Sequence, residues 1–403
     1  MHDVVRVCSE GIAFVTPQTV SAPTVSESPP ASHASDPQTQ RRAKQYSKTK
    51  IIVSLVETIL LFSVTVAAMV LGLTSLAESV ALSLSSNPYG AFLIFAGFLA
   101  VSEMIIGFPF SYYSGFYLEH KFKLSNTTFQ KWVWEGTKGI LVGIPIAMPV
   151  ILVFYYCLRS FGSFWWLPVG SVLFLFSVIL ARLAPILIFP LFYKFKPIED
   201  SSVKTRILDL CSRVGVKVEG IFVFDMSKNT KKANAAFTGI GKSKRIILGD
   251  TLVANFTDDE IESVFAHELG HYKLRHIWLM MLVGTMNSFL GLYLTAQLYD
   301  LSLPWFGFAR VDQLAALPLL TIWLGIYSLV TAPLNNMLSR ANERAADRYA
   351  IRVTQNKEAF INAMRKLAKI NLADVAPHPL VEFFFYSHPS IDKRIQATAQ
   401  GVA

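Results

Sequence analysis

The chain has 403 residues, of which 52% are hydrophobic and only 16% charged, and its formal net charge is +9. A soluble domain carries about 25% charged residues, so this balance excludes an ordinary soluble enzyme and an intrinsically disordered protein. Membrane proteins keep such a positive excess in cytoplasmic loops; no basic run interleaved with aromatics points to nucleic acid, and three scattered cysteines (Cys8, Cys157 and Cys211) make neither a disulfide framework nor a thiolate metal cluster.

Residues 1–50 are rich in Ser, Pro and Thr and lack the apolar core of a signal peptide. They bury too little apolar surface to offset chain entropy, so the composition predicts a disordered tail. The tail closes on a basic run containing Arg41, Arg42, Lys44, Lys48 and Lys50. Six long apolar runs follow, at 51–73, 91–108, 139–158, 164–192, 277–298 and 314–338. About 20 apolar residues cross the hydrocarbon as a helix, so six spans are predicted. The second run is the shortest and fades through 109–117. The fourth is long enough to tilt, or to break at Pro185 or Pro190.

Basic residues before residue 51 predict a cytoplasmic N-terminus. Counting spans then places 118–138 inside, with Lys121, Lys123, Lys131 and Lys138. The outside loop 74–90 has no Lys or Arg, and the other two have one each, Arg159 and Arg310. The segments 193–276 and 339–403 both fall inside. The sequons at Asn126 and Asn255 then face the cytoplasm.

Residues 193–276 read as a small α/β insert. Helical periodicity covers 201–214, alternation predicts a strand over 217–224, and a second short strand at 244–248 follows the turn at 239–241. Thr257 and Glu260 form a capping box. It opens a helix with no breaker before the fifth membrane run.

That helix carries HELGH, residues 267–271. His267 and His271 are i and i+4, so both imidazoles reach one ion from one helical face. Glu268, beside the first of them, can take a proton from an attacking water. Glu343, on a helical continuation of the sixth run, supplies the carboxylate of a two-His, one-Glu zinc site. Asp347 is i+4 from Glu343 and can hydrogen-bond the far nitrogen of a ligating His. Without HELGH, both acids would read as partners of Arg340, Arg344 or Arg348. Residue 277 begins the fifth run six residues after His271, so the ion would lie roughly 10 Å from the hydrocarbon edge.

On the residues alone, His378 and His388 read as structural or surface histidines. His276, five residues past His271, points away from the His267/His271 face of an ideal helix and reads as interfacial. Glu57, Glu103 and Arg182 lie inside apolar runs. They either line a polar chamber or snorkel to an interface.

From about residue 45 to 398 the chain resembles the integral-membrane zinc metalloproteases of the type I CAAX prenyl protease family. The stretches that carry the likeness are YYSGFYLEH (112–120), LSNTT (124–128), APILIFPLF (184–192), LGDTL (248–252), HELGH, SRANERAAD (339–347) and SHPS (387–390). The resemblance implies one zinc per chain on His267, His271 and Glu343, with Glu268 as catalytic base and Asp347 supporting the ligands. It assigns His388 to transition-state stabilisation, and Asn234 and Arg394 to contacts with substrate main chain or its carboxyl end. It also implies a water-filled chamber, which suits Glu57, Glu103 and Arg182. Eukaryotic members carry seven spans where six are counted here, and the loops look like those of the compact bacterial and archaeal branch.

The expected fold is therefore mainly α: a polytopic membrane bundle of six spans enclosing a chamber, with a zincin-like cytoplasmic α/β insert. It divides into the tail (1–50), N-terminal membrane helices (51–192), the zincin-like region (193–276), two further membrane helices (277–338) and a C-terminal catalytic region (339–403). The expected activity is a zinc-dependent membrane endopeptidase acting on peptide or protein substrates, lipidated or membrane-embedded, in contact with membrane lipid and without nucleic acid. The sequence sets no oligomeric state. A bacterial plasma membrane is the expected location, with the catalytic region cytoplasmic, or an endomembrane if the source is eukaryotic. Two other readings fit the same residues. One is a heat-shock-type zincin that degrades misfolded membrane proteins. The other is a non-catalytic zinc-containing chaperone or transporter, against which the intact Glu268 argues.

Overall fold

The computed structural model describes residues 36–238 and 245–401. The turn expected at 239–241 and most of the tail lie outside the described residues.

Helix α1 (Pro37–Val70) starts well before the first apolar run, capped by Asp36, whose Oδ1 accepts a hydrogen bond from the Gln38 amide at 3.2 Å. The basic run at 41–50, expected as disordered tail, is therefore helical. The reason is tertiary: Ala43 and Tyr46 are buried against Leu118, Phe122, Leu124 and Leu372, and the Tyr46 hydroxyl donates to Glu119. Gly72, at φ 72°, turns the chain into the short apolar helix α2 (Leu73–Leu84).

Helix α3 (Pro88–Tyr112) passes through a π-helical turn into α4 (Leu118–Lys121). After α5 (Phe129–Phe161), α6 (Trp166–Leu183) reaches α7 (Phe189–Phe192) through a second π-turn, Ala184–Ile188, at Pro185. The missing donor and ring clash at Pro185 account for the widened turn, and the helix continues through it to Phe192.

The insert holds four strands, β1 (Phe195–Pro197), β2 (Gly220–Phe224), β3 (Ala235–Thr238) and β4 (Arg245–Gly249), ordered β1-β2-β4-β3. β2 and β4 are parallel and the other pairs antiparallel, which leaves β3 at an edge. Helices α8 (Ser202–Arg213), α9 (Asp250–Asn255) and α10 (Asp258–Lys273) belong to the same region. The chain then returns to the bundle in α11 (His276–Ser302) and α12 (Pro318–Thr354), and ends in α13 (Lys357–Ile370), α14 (Pro379–Phe385) and α15 (Ile391–Ala399).

Six helical segments are long and apolar enough to cross a membrane, and they coincide with the six runs. The last, Leu314–Thr354, is 41 residues long. At ~1.5 Å per residue it is about twice as long as the hydrocarbon is thick, and Glu343 lies in its C-terminal third.

Burial is concentrated in two layers. One joins Phe92, Phe95, Tyr155, Trp165, Leu292, Tyr299 and Leu320 at one end of the bundle. The other joins Ile207, Leu210, Ile246, Phe265, Leu269, Ala350 and Phe360 in the insert and C-terminal region. Between them, 51–68, 96–117, 128–154, 171–197, 277–290 and 323–332 contain no buried residue. A solid bundle would bury a stripe along every helix; these helices pack tightly at their ends and only loosely between them, through contacts such as the Tyr327 hydroxyl on Asn287 Oδ1 (2.8 Å) and Phe108 beside Trp132.

Candidate active site

The capping box forms as the sequence predicts: the Glu260 amide donates to Thr257 Oγ1 (3.4 Å), and the Thr257 amide to Glu260 Oε2 (2.8 Å). With Asp258 and Asp259 beside it, Glu260 also complements the helix dipole. Ile261, Phe265 and Leu269 bury one face of α10. His267, Gly270 and His271 share the face turned to α12. A Cβ on Gly270 would lie 3.1 Å from Ala346 Cα and 3.2 Å from its carbonyl oxygen. The glycine of HELGH thus lets two backbones approach, which sets the histidines of α10 opposite Glu343 and Asp347 of α12.

Three side chains converge there. His267 Nε2 and His271 Nε2 are 3.2 Å apart, and lie 3.3 and 3.2 Å from Glu343 Oε2 and Oε1. Two ligands each ~2.0–2.1 Å from a tetrahedral ion stand about 3.3 Å apart, so the spacing fits one metal ion. Glu343 is 5% exposed, and among the described residues its Oε2 has only the His267 ring (3.3 Å) and the Arg394 guanidinium (3.8 Å) near it. A buried carboxylate oxygen left so is costly unless a cation completes it.

Behind the triad, Asp347 Oδ1 lies 2.8 Å from His267 Nδ1. Arg394 closes on the same carboxylate with two bonds, Nε to Oδ2 at 2.8 Å and Nη2 to Oδ1 at 2.6 Å, and its Nη2 is 3.3 Å from His267 Nδ1. Arg394, to which the resemblance assigned a substrate contact, engages Asp347 with its guanidinium.

His388 belongs to the cluster, its Nε2 3.4 Å from Glu343 Oε1 and its ring open to water. The loop bearing it is tied to α12 by Arg340, whose Nη1 donates to the carbonyls of Glu382 (2.9 Å) and Tyr386 (2.6 Å). His378 is structural: its Nδ1 accepts from the Leu380 amide at 3.2 Å and caps α14. Asn234 is exposed at the head of edge strand β3, with its Oδ1 accepting from the Ala235 amide (2.8 Å), and is not in contact with the triad.

His276 corrects the expectation made for it. Helix α10 ends at Lys273, and Arg275 takes the left-handed conformation at φ 58°. The break swings His276 back, and its Nδ1 reaches 3.1 Å from His271 Nδ1. No glycine or proline marks this break in the sequence. A cavity of about 390 Å³ opens beside the triad, lined by Phe237 of β3, Glu268, His271, His276, Ile277, Met280, Ser339 and Asn342. Phe237 is a second residue that sequence reasoning missed; its ring packs on Tyr272 at 5.2 Å.

Charge follows geometry. Burial opposes a proton on His267, but its bonds to Asp347 and Glu343 outweigh that and raise it to about 9 in the metal-free protein. Burial pushes the Glu268 carboxyl up from the ordinary range. The arrangement offers a place for a divalent ion, an adjacent carboxyl with raised proton affinity, and an imidazole open to the same space.

A family model described as peptidase family M48 matches residues 197–401, and one described as the CAAX prenyl protease N-terminal region, five membrane helices, matches 22–194. The chain is 32% identical to the uncharacterized metalloprotease YhfN of Bacillus subtilis over 76% of its own length and 73% of that protein. It is also 32% identical to CAAX prenyl protease 1 of Saccharomyces cerevisiae, over 76% and 71%. The crystal structure of S. mikatae Ste24p superimposes with a TM-score of 0.82 at 28% identity, covering 92% of this chain and 91% of that one. By these matches the chain belongs to peptidase family M48 and is a multi-pass membrane metalloendopeptidase of the CAAX prenyl protease type.

Proposed function

We propose that the chain is a zinc endopeptidase that hydrolyses peptide bonds of lipidated or membrane-embedded substrates at the cytoplasmic face of a bacterial plasma membrane. The observation that carries this reading is the 3.2–3.3 Å convergence of His267 Nε2, His271 Nε2 and the Glu343 carboxylate. Two imidazoles and one carboxylate are the donor set of catalytic zinc sites that keep a fourth position open. Bound zinc supplies Lewis acidity toward the scissile carbonyl and the attacking water.

The protein's own residues do the rest. Glu268 takes the proton of the attacking water and passes it to the leaving amine; its raised proton affinity suits that exchange. His388 Nε2 stands by to donate to the oxyanion. Asp347 holds His267 with Nε2 toward the ion, and Arg394 holds Asp347. The substrate lies extended along the free edge of β3, led by Asn234. The apolar wall of Phe237, Ile277 and Met280 takes a substrate side chain next to the scissile bond. The loosely packed middle of the bundle encloses a water-filled chamber open to Glu103 and Arg182, which are both exposed.

Purified wild type and Glu268→Gln test this together. Equal zinc per chain is expected, with cleavage of a farnesylated peptide or casein falling about 10²–10⁴-fold in the variant. Unchanged cleavage removes Glu268 from the mechanism. Heterogeneous fragments from damaged membrane proteins, with no defined product from the lipidated peptide, would favour a quality-control protease instead.

A further inference from the structure

We infer that His276 is a positioning residue: its Nδ1 accepts the Nδ1 proton of His271 and so holds that ring with Nε2 toward the metal. The inference rests on the proposal that His271 binds the ion through Nε2.

An imidazole that gives its Nε2 lone pair to a metal carries its proton on Nδ1, and that N–H needs an acceptor to fix tautomer and ring plane. His267 has Asp347 for this, at 2.8 Å. The matching contact of His271, among the described residues, is His276 Nδ1 at 3.1 Å. His276 is 7% exposed, so water does not compete freely for the bond. The rings stand edge to face, 5.2 Å apart with an interplanar angle of 70°. With Nδ1 accepting, His276 keeps its own proton on Nε2.

The backbone supplies a second, independent observation. On an unbroken helix a residue five positions on points roughly 140° away. Here Arg275, a side-chain-bearing residue, occupies the left-handed region at φ 58° and ψ 27°, and His276 becomes the first residue of α11. Such a conformation is unfavourable for most residues that carry a side chain, arginine among them, and persists where surrounding structure enforces it. What this one accomplishes is the return of His276 to His271 at the point where the catalytic helix becomes a membrane helix.

The test measures zinc affinity of the full-length protein in detergent by competition with a chelator, together with melting of the metal-free forms. His276→Ala is expected to weaken zinc binding about 10–100-fold while the metal-free melting temperature stays within a few degrees. In His276→Asn the Oδ1 is attached where the imidazole Nδ1 was and can accept the same proton, so most of the affinity should return. Arg275→Gly, which permits the same turn, should bind zinc as wild type does. An alanine variant within twofold of wild type overturns the inference, and so does an asparagine variant as weak as alanine, which would mean that the ring acts by packing alone. If His271→Ala still binds one zinc at wild-type affinity, the triad reading fails, and this inference with it.

Discussion

The two packed layers of the molecule differ in what they bury. At the far end the layer is almost wholly apolar: Phe95, Leu158 and Tyr299 are fully enclosed, and the Tyr299 hydroxyl finds the Val311 carbonyl at 2.9 Å. At the site end His267, Glu343, Asp347 and Arg340 are all less than 9% exposed. Helix α12 runs through both layers, so one rod is held by dispersion and water exclusion at one end and by paired charges at the other. Apolar burial stabilises the fold without chemical consequence. Buried ion pairs contribute little net stability, because desolvation offsets much of their attraction. Their presence at one end marks where the fold serves chemistry.

Three measurements would break or sharpen that contrast. The largest effect is expected from Phe95→Ala, which opens a cavity in the apolar layer and should cost about 3–5 kcal/mol. Melting should fall steeply, while cleavage per folded molecule at a permissive temperature stays near wild type. A proportional loss of specific activity would mean that the far layer also sets the site geometry.

The next concerns pH. In the metal-free protein His267 holds its proton up to about 9, above its ordinary 6.5. The stabilisation this brings is complete below about 6.5 and lost as pH rises through 9. The metal-bound form needs the ring neutral, so zinc displaces a proton. The rise in melting temperature on adding zinc should therefore widen from pH 6.5 to 9, with affinity climbing by up to ~10-fold per pH unit. A constant increment across that range would show that no such proton is released.

The smallest effect is expected from Gly270→Ala. Its Cβ would press on Ala346 Cα at 3.1 Å, a backbone atom that cannot swing aside. Parting α10 from α12 by a few tenths of an ångström should cost about 1–3 kcal/mol and weaken zinc binding. Unaltered affinity would show that Glu343 reaches the histidines without close helix contact.

The contrast also separates what was readable in the chain from what was not. The six spans follow from unbroken apolar length, and the start of α10 from a capping box closed within four residues. The pairing of His267 with His271 follows from helical pitch. All of these are short-range consequences of backbone geometry, which the local sequence carries in full. The helical state of 41–50 was missed because it depends on Tyr46 and Ala43 meeting Leu118, Phe122 and Leu372. Strand β3 was missed because four residues of AAFT carry too little pattern, and its pairing with β4 supplies the reason for it.

The amino-acid order by itself settled that this chain inserts in a membrane and bears an HELGH helix ready for a metal. The sequence nominated Glu343, more than 70 residues downstream, but the contact of Gly270 with Ala346 is what sets it opposite the histidines. Arg394 on Asp347 and His276 on His271 were decided in the same way, by a crossing of two helices and by a left-handed break at Arg275. Turns and caps are governed by neighbours along the chain, whereas the partners of a buried charge are governed by whatever the fold brings within a few ångströms of it.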